Sequence, residues 1–344
     1  MILTVLLFIA AGMGIFHLLI RIGLRAPRIR EQGTPQRYGL AYREVSIPSA
    51  NGKRLFGWFI PAAGEAPAPA VAVLHGWGGN AEMMLPLAAP LHGAGYAVLL
   101  FDARNHGRSD GDSFSSMPRF AEDLEHALDW LARQPGVDAG RMAALGHSVG
   151  AAAALLAASR GRSLAAVIGI AAFAHPEGMM RRLLASHHIP YIPLGWYVLR
   201  YVQRVIGHRF GDIAPCNTIR EVRCPVLLVH GAGDAIVPVG EAQSIYANRA
   251  GDHVRLLILG GEHDSVDELE KHVGELTAFL DQSNGTRRCG LSPTSYAAGR
   301  ALPRTAPISS RPSGSSAMVD GDGTAAKPSP TTALNTDPSA RADW

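Results

Sequence analysis

The sequence predicts an α/β fold: a mostly parallel central sheet flanked by helices on both sides. Three observations carry this. Apolar runs of strand length, "AVAVLHG", "YAVLLFDAR", "RMAALGHS", "AAVIGIAAFA", "CPVLLVHGAGD" and "VRLLILGGEH", succeed one another along the chain, and such unbroken runs suit strands buried on both faces. Helical patterns fall between them at 81–92, 119–134, 149–159, 241–248 and 266–280, and strand–helix alternation builds parallel sheets covered on either side. A chain of 344 residues that is 47% hydrophobic can also bury a sizeable core.

Taken in order, residues 1–20, "MILTVLLFIAAGMGIFHLLI", contain no Asp, Glu, Lys or Arg. Twenty helical residues at about 1.5 Å each match the ~30 Å hydrocarbon core, so the segment reads as a transmembrane anchor. A cleaved signal peptide would start with a basic stretch, which is missing, although "AAG" at 10–12 is a weak cleavage signal and a misassigned start codon is a further alternative. Arg21, Arg25, Arg28 and Arg30 mark a basic juxtamembrane linker over 21–37 that suits anionic lipid headgroups and favours a cytoplasmic location for the rest of the chain.

The main domain is expected over 38–282. It opens with two extended stretches around Asn51-Gly52, a strong hairpin signal. Within 119–134, Phe120, Leu124, Ala127, Leu128 and Leu131 share one helical face, with acidic residues on the other. The alternation breaks only at about 175–218, where an insertion would cover the strand ends as a lid. The tail, 283–344, is rich in Ser, Pro, Gly, Ala and Thr with only Tyr296 and Trp344 as aromatics, and is expected to be disordered.

Composition excludes several classes. Cys216, Cys224 and Cys289 are odd in number and lack metal-ligand spacing, so neither a disulfide framework nor a zinc site is expected. A net charge of +3 is too small to argue for nucleic acid. His187 and His188 are adjacent, and neighbours on a helix face apart, so metal is not expected there either.

Chemistry concentrates at "GHSVG", Gly146 to Gly150. A strand-like run precedes it and an alanine-rich helix comes after, which is the context a G-x-S-x-G elbow needs. Gly146 and Gly150 permit a sharp turn that leaves the Ser148 hydroxyl exposed and aims the Val149 N–H at a reacting carbonyl oxygen. A serine hydroxyl needs a base to take its proton and an acid to orient that base. Asp234 and His263 each follow a buried strand, at the carboxyl edge where open α/β sheets place ligands. Glu177 in "AHPEG" is the rival acid. His147, beside the nucleophile, is expected to be structural or to line the substrate pocket, while His75 and His230 are expected to anchor loops. On the lid, Trp196, Tyr197 and Tyr201 are candidate substrate-binding residues, or the lid helix simply packs its apolar side on the core and leaves Arg200, Arg204 and Arg209 in solvent.

The order Ser148, Asp234, His263, together with these motifs, resembles the serine-type α/β-hydrolase family over roughly 38–282. The resemblance implies an α/β-hydrolase fold with an inserted lid. It also implies that "HGWGGN" at 75–80 supplies the Trp77 N–H to an oxyanion hole shared with Val149, and that "FDARNHGRSDG" matches the family's D-x-R-G-H-G-x-S segment with Asn105 in place of glycine. The expected activity is that of a carboxylesterase-like serine hydrolase acting on a small-molecule acyl substrate, an acylglycerol or thioester among the variants, through an acyl-enzyme. No metal or organic cofactor is required. Two alternatives stand beside it: a peptidase of the same fold, and a catalytically silent membrane-tethered binding module. Ser148 argues against the branches that use a carboxylate nucleophile.

Overall fold

The computed structural model describes residues 2–64, 67–264, 269 and 271–287. Eight strands form one sheet: β1 (Arg43–Pro48), β2 (Arg54–Ile60), β3 (Ala68–Leu74), β4 (Ala97–Phe101), β5 (Val137–His147), β6 (Ala166–Ile170), β7 (Val226–Gly231) and β8 (Val254–Leu259). Their order across the sheet is β1-β2-β4-β3-β5-β6-β7-β8. Strands β1 and β2 pair antiparallel, as do β2 and β4, and the remaining pairs are parallel. The hairpin forms where Asn51 and Gly52 were expected to turn, with φ of 58° and 67°, the pair of positive values that lets a tight turn match strand twist.

The helices are α1 (Ile2–Gly23), α2 (Ala88–Gly93), α3 (Met117–Leu131), α4 (Val149–Ser159), α5 (Pro176–Ser186), α6 (Trp196–Ile206), α7 (Phe210–Ile213), α8 (Pro215–Thr218), α9 (Gly240–Ala247) and α10 (Val273–Arg287). Alternate residues of each central strand feed two apolar layers. Ala72 and Leu74 of β3 pack with α3 and α4, while Val71 and Val73 pack with Leu85, Ala88 and Leu91 on one side and Leu276 and Leu280 of α10 beyond. Both faces are covered, so strand runs without polar alternation are what the fold requires. All these elements lie in a unit spanning Met1–Ser292. The disordered tail expected from 283 is corrected at its start, where residues 283–287 continue α10, and the rest of it, from 288 onward, lies outside the described residues.

Several expectations need correction. The helix expected at 81–92 is a 3-10 segment over Ala81–Leu87 followed by the short α2, because Pro86 lacks the N–H that an α-helical ladder needs. On α3 the acidic side is not wholly solvated. Asp123 is buried and accepts hydrogen bonds from the Arg104 backbone N–H (2.9 Å), Arg104 Nε (2.7 Å) and Ser49 Oγ (2.7 Å).

The transmembrane anchor expected at 1–20 is also corrected. The segment is helical, but among the described residues no helix is long and apolar enough to cross a membrane. One side of the C-terminal third of α1 is committed to protein: Ile20 is buried and Phe16 and His17 are half-buried against the lid, while Leu18, Leu19 and Ile22 stay exposed. What remains, positions 2 to 15, is 14 residues, about 21 Å of helix and short of the ~30 Å core. Nor is 21–37 a linker. Arg28 donates from Nε to the Gly107 carbonyl (2.9 Å) and from Nη2 to the Ser109 carbonyl, Asn80 Nδ2 donates to the Ile29 carbonyl (3.1 Å), and the Gln32 N–H donates to Glu82. Residues 24–38 are therefore a strap laid over the loops that follow β3 and β4. The stretch between β6 and β7, where a lid was expected, folds as α5 to α8.

Candidate active site

Ser148 sits between the end of β5 and the first residue of α4 with φ 52° and ψ −115°. A non-glycine residue at positive φ is strained, and the surroundings fix it there. A Cβ on Gly146 would stand 2.3 Å from the Gly150 backbone, and one on Gly150 would stand 2.5 Å from the His75 carbonyl oxygen. Both glycines are thus required by backbone-to-backbone packing. The Ser148 N–H donates to the Ile170 carbonyl of β6 (2.8 Å), which ties the turn to the neighbouring strand. Val149 opens α4, and first-turn N–H groups have no partner inside their own helix.

Asp234 lies just past β7 and is buried. Its Oδ1 accepts the N–H groups of Ile236 (3.0 Å) and Val237 (2.7 Å), and its Oδ2 meets His263 Nδ1 at 2.7 Å. The carboxylate is oriented by the backbone and in turn orients the imidazole. His230 supports the same loop, donating from Nε2 to the Val237 carbonyl (2.7 Å). Glu177, the rival acid, is engaged elsewhere: its Oε1 accepts from the Tyr191 hydroxyl (3.4 Å) and lies 3.9 Å from Arg181.

His147 does more than fill space. Its Nε2 lies 2.9 Å from the His263 carbonyl oxygen and its ring centroid 4.9 Å from that of His263. The residue beside Ser148 therefore grips the loop that carries His263. Burial, together with the neighbouring His263, pushes the His147 imidazole below its ordinary value, while Asp264 and Asp234 pull it the other way.

The loop after β3 is pinned by His75, which is fully buried. Its Nε2 accepts the Ala103 N–H (3.0 Å) and its Nδ1 donates to the Gly76 carbonyl (2.7 Å). Burial first, and His106 second, push it down to about 3, so it stays neutral and this tautomer is fixed. Trp77 is part-exposed, with its ring stacked at 6.4 Å on Phe120. A Cβ on Gly76 would lie 3.3 Å from Ser148 Cβ, so the loop backbone runs past the serine. In the loop after β4, Asn105 has φ 69°, one of the few side chains that tolerate this conformation. That accounts for asparagine at the position where the resemblance leads one to expect glycine.

Two lid residues expected at the substrate have other partners. The Tyr197 hydroxyl lies 2.7 Å from His17 Nε2, and the Tyr201 hydroxyl accepts from Arg21 Nε at 3.1 Å while its ring stacks on His17 at 4.3 Å. These side chains join α1 to the lid. Trp196 is half-exposed, with the Arg200 guanidinium 5.6 Å from its ring.

Sequence reasoning missed one buried group. Asp102, the residue after β4, accepts the N–H groups of Ala81 (2.7 Å) and Arg108 (2.8 Å). Glu31 of the strap lies beside it: a Cβ on Gly107 would meet Asp102 Oδ2 at 2.0 Å and Glu31 Oε1 at 2.2 Å. Burial and the Glu31 carboxyl raise Asp102 well above the usual carboxylate range. No local pattern announces a contact between residues so far apart in sequence.

Fold and site together define an α/β hydrolase. The family description "Serine aminopeptidase, S33" matches residues 65–205. An uncharacterized protein of Mycobacterium tuberculosis (strain ATCC 25618 / H37Rv) is 31% identical over 240 residues, covering 68% of this chain and 76% of its own. The uncharacterized protein YfhR of Escherichia coli (strain K12) is 28% identical over 224 residues, covering 64% of this chain and 72% of its own. Among solved structures, the Pyrococcus furiosus esterase Pf2001 superposes with a TM-score of 0.63 at 24% identity, covering 76% of this chain and 98% of that one. The chain belongs to the α/β-hydrolase family.

Proposed function

We propose that this hydrolase cleaves a carboxylic ester through an acyl-enzyme. Ser148 attacks the carbonyl, His263 takes its proton and returns it to the leaving group, and Asp234 holds the imidazole in the tautomer that leaves Nε2 free. The N–H groups of Trp77 and Val149 receive the developing oxyanion, and donors of this kind are each worth roughly 2.7–4 kcal/mol. Water then releases the acyl group. The observation that carries the reading is the 2.7 Å Asp234–His263 pair standing at the same sheet edge as a serine held at φ 52°. The test is labelling by a fluorophosphonate, with turnover of a p-nitrophenyl ester series. Rapid labelling of Ser148 is expected. Its absence in folded protein would leave the silent binding module as the better reading.

The family description supports a second reading, a peptidase using the same residues. Amide and ester substrates compared side by side distinguish the two, since ester turnover without aminopeptidase activity favours the first.

For the N-terminal helix, we infer attachment along a lipid surface. Leu7, Phe8, Ile15, Leu18, Leu19 and Ile22 are exposed, the helix carries no acidic residue in its first turn, and the exposed Arg21, Arg25 and Arg30 come after it. An apolar face bordered by arginines suits an anionic bilayer surface, as on the cytoplasmic leaflet. Co-sedimentation with phosphatidylserine vesicles, weakened by salt, is the expected result. No binding at low salt would remove this inference.

A further inference from the structure

One cluster of metal-ligating atoms is used only in part by the proposed chemistry. His147, His263 and Asp264 each offer a ligand atom, and the three atoms lie within 4.8 Å of one another. His147 Nε2 is 3.7 Å from Asp264 Oδ1. His147 Nδ1 lies against the Gly76 backbone, where even a Cβ would crowd it at 3.0 Å, and Nε2 is the nitrogen turned toward Asp264. His263 has its Nδ1 held by Asp234 at 2.7 Å, which leaves the Nε2 lone pair as its outward donor. A carboxylate behind a histidine in this way is the support that recurs at zinc sites, because it fixes the ring and raises the basicity of the free nitrogen.

We propose that His147, His263 and Asp264 form a zinc site and that a bound Zn²⁺ switches the enzyme off. Two imidazoles and one carboxylate are the donor set of zinc centres that keep a fourth position open. Calcium and magnesium favour six or more oxygen ligands, which this cluster does not supply. Bonds of about 2.0–2.1 Å place tetrahedral ligands roughly 3.4 Å apart, so the cluster must tighten by a little over an ångström. The Asp264 side chain, 71% exposed and 3.7 Å from His147 Nε2, can swing onto the ion, and the His263 carbonyl, now 2.9 Å from His147 Nε2, must give way to it. Zinc then occupies the same Nε2 lone pair that would accept the serine proton, so binding and proton transfer exclude each other. Binding rests on the geometry alone. Only the loss of turnover rests on the proposed serine chemistry.

The test uses the full chain without a histidine tag. Calorimetric titration with ZnCl₂ is carried out on the wild type, Ser148→Ala, Asp264→Ala and His147→Gln. One saturable site is expected in the wild type and in Ser148→Ala, with affinity at least about 10-fold weaker in the other two variants, in line with what losing support around a metal costs. Zinc is expected to abolish ester turnover reversibly on chelation. Asp264→Ala is expected to keep its zinc-free turnover and to need at least about 10-fold more zinc for half-inhibition. Equal zinc affinity in all four proteins, or no saturable site, overturns the proposal, and binding without inhibition overturns its inhibitory half. Should the protein turn over no ester while Asp264→Ala still loses the calorimetric site, the zinc site stands and the esterase reading falls.

Discussion

The elbow around Ser148 and the lid sit over the same edge of the sheet, yet they are held in different ways. The elbow is fixed by backbone: Gly150 has no room for a methyl group, and the Ser148 N–H is taken by β6. The lid buries Leu184, Val198, Leu199, Phe210 and Ile213 in the core, but its ties to α9 and α1 are long side chains, with Arg182 pairing with Glu241 of α9 and with Tyr197 and Tyr201 reaching His17 and Arg21 of α1. Close-packed backbone has one arrangement, whereas tyrosine and arginine contacts can be exchanged for water at small cost. Chemistry should therefore fail abruptly when the elbow is altered, and the lid should yield by degrees.

The largest expected effect is at the elbow. Ser148→Ala removes turnover by about 10⁶-fold if the serine acts as in other serine hydrolases, with the fold intact by circular dichroism. Turnover near that of the wild type would end the nucleophile assignment. Gly150→Ala tests the packing itself, since its methyl group would lie 2.5 Å from the His75 carbonyl. Loss of soluble folded protein is expected, and a wild-type melting temperature would show that the elbow has slack.

Next comes a comparison between the elbow's partner and a lid acid. Asp234→Asn keeps the size but removes the charge that selects the His263 tautomer, a change worth about 10⁴-fold in a comparable triad. Glu177→Gln, whose carboxylate contacts Tyr191 and Arg181, should leave most of the p-nitrophenyl ester turnover in place. A crippled Glu177→Gln would move the acid to the lid.

Smaller effects are expected where the lid meets α1. His17→Ala removes the contact with the Tyr197 hydroxyl and the stack on Tyr201, worth about 1 kcal/mol for a partly solvated hydrogen bond. A shift of KM between short and long acyl chains with little change in kcat for the short ones is the expected readout. A loss of turnover as large as that of Asp234→Asn would show that the lid is no less committed than the elbow.

The smallest expected effect is a pH dependence of stability under the strap. Asp102 is held above the usual carboxylate range in the folded chain, so the folded state binds that proton more tightly than the unfolded state does. This contribution is complete below the ordinary carboxylate value and declines as pH rises through the folded one. Glu31→Gln removes one of the two causes, and its urea unfolding free energy should fall less steeply than that of the wild type as pH rises above the ordinary carboxylate value. Parallel curves would separate the strap from the titration of Asp102.

Most of the sheet was legible because burial on both faces writes itself into the sequence as apolar runs, and α4 begins and ends where the alanine run does, at Val149 and Ser159. The elbow was legible for a local reason: its glycines, serine and flanking elements are contiguous. Asp234 and His263 could be named because each comes after an apolar strand run, although β8 before His263 is a partly exposed edge strand, and the structure brings the two to 2.7 Å. What escaped was contact without period. Arg28 reaches backbone carbonyls at Gly107 and Ser109, and a carbonyl acceptor leaves no mark on the identity of its residue. The amphipathic reading of α3 hid Asp123 for a related cause, since its partner Arg104 lies on a loop.

The strap also ties the N-terminal segment to the loop after β3 that carries Trp77. A Cβ on Gly78, next to Trp77, would strike the Pro27 ring at 2.7 Å, and the Ile29 carbonyl is held by Asn80. The sequence suggested an anchor that could be cut away without touching the enzyme, but the boundary between the two runs through the loop that carries Trp77. Grafting an unrelated apolar helix in place of residues 1–38 would preserve hydrophobicity and lose both contacts. For recombination the N-terminal segment and the hydrolase domain therefore count as one unit of exchange, and chimaeras joined within 24–38 would inherit neither partner whole.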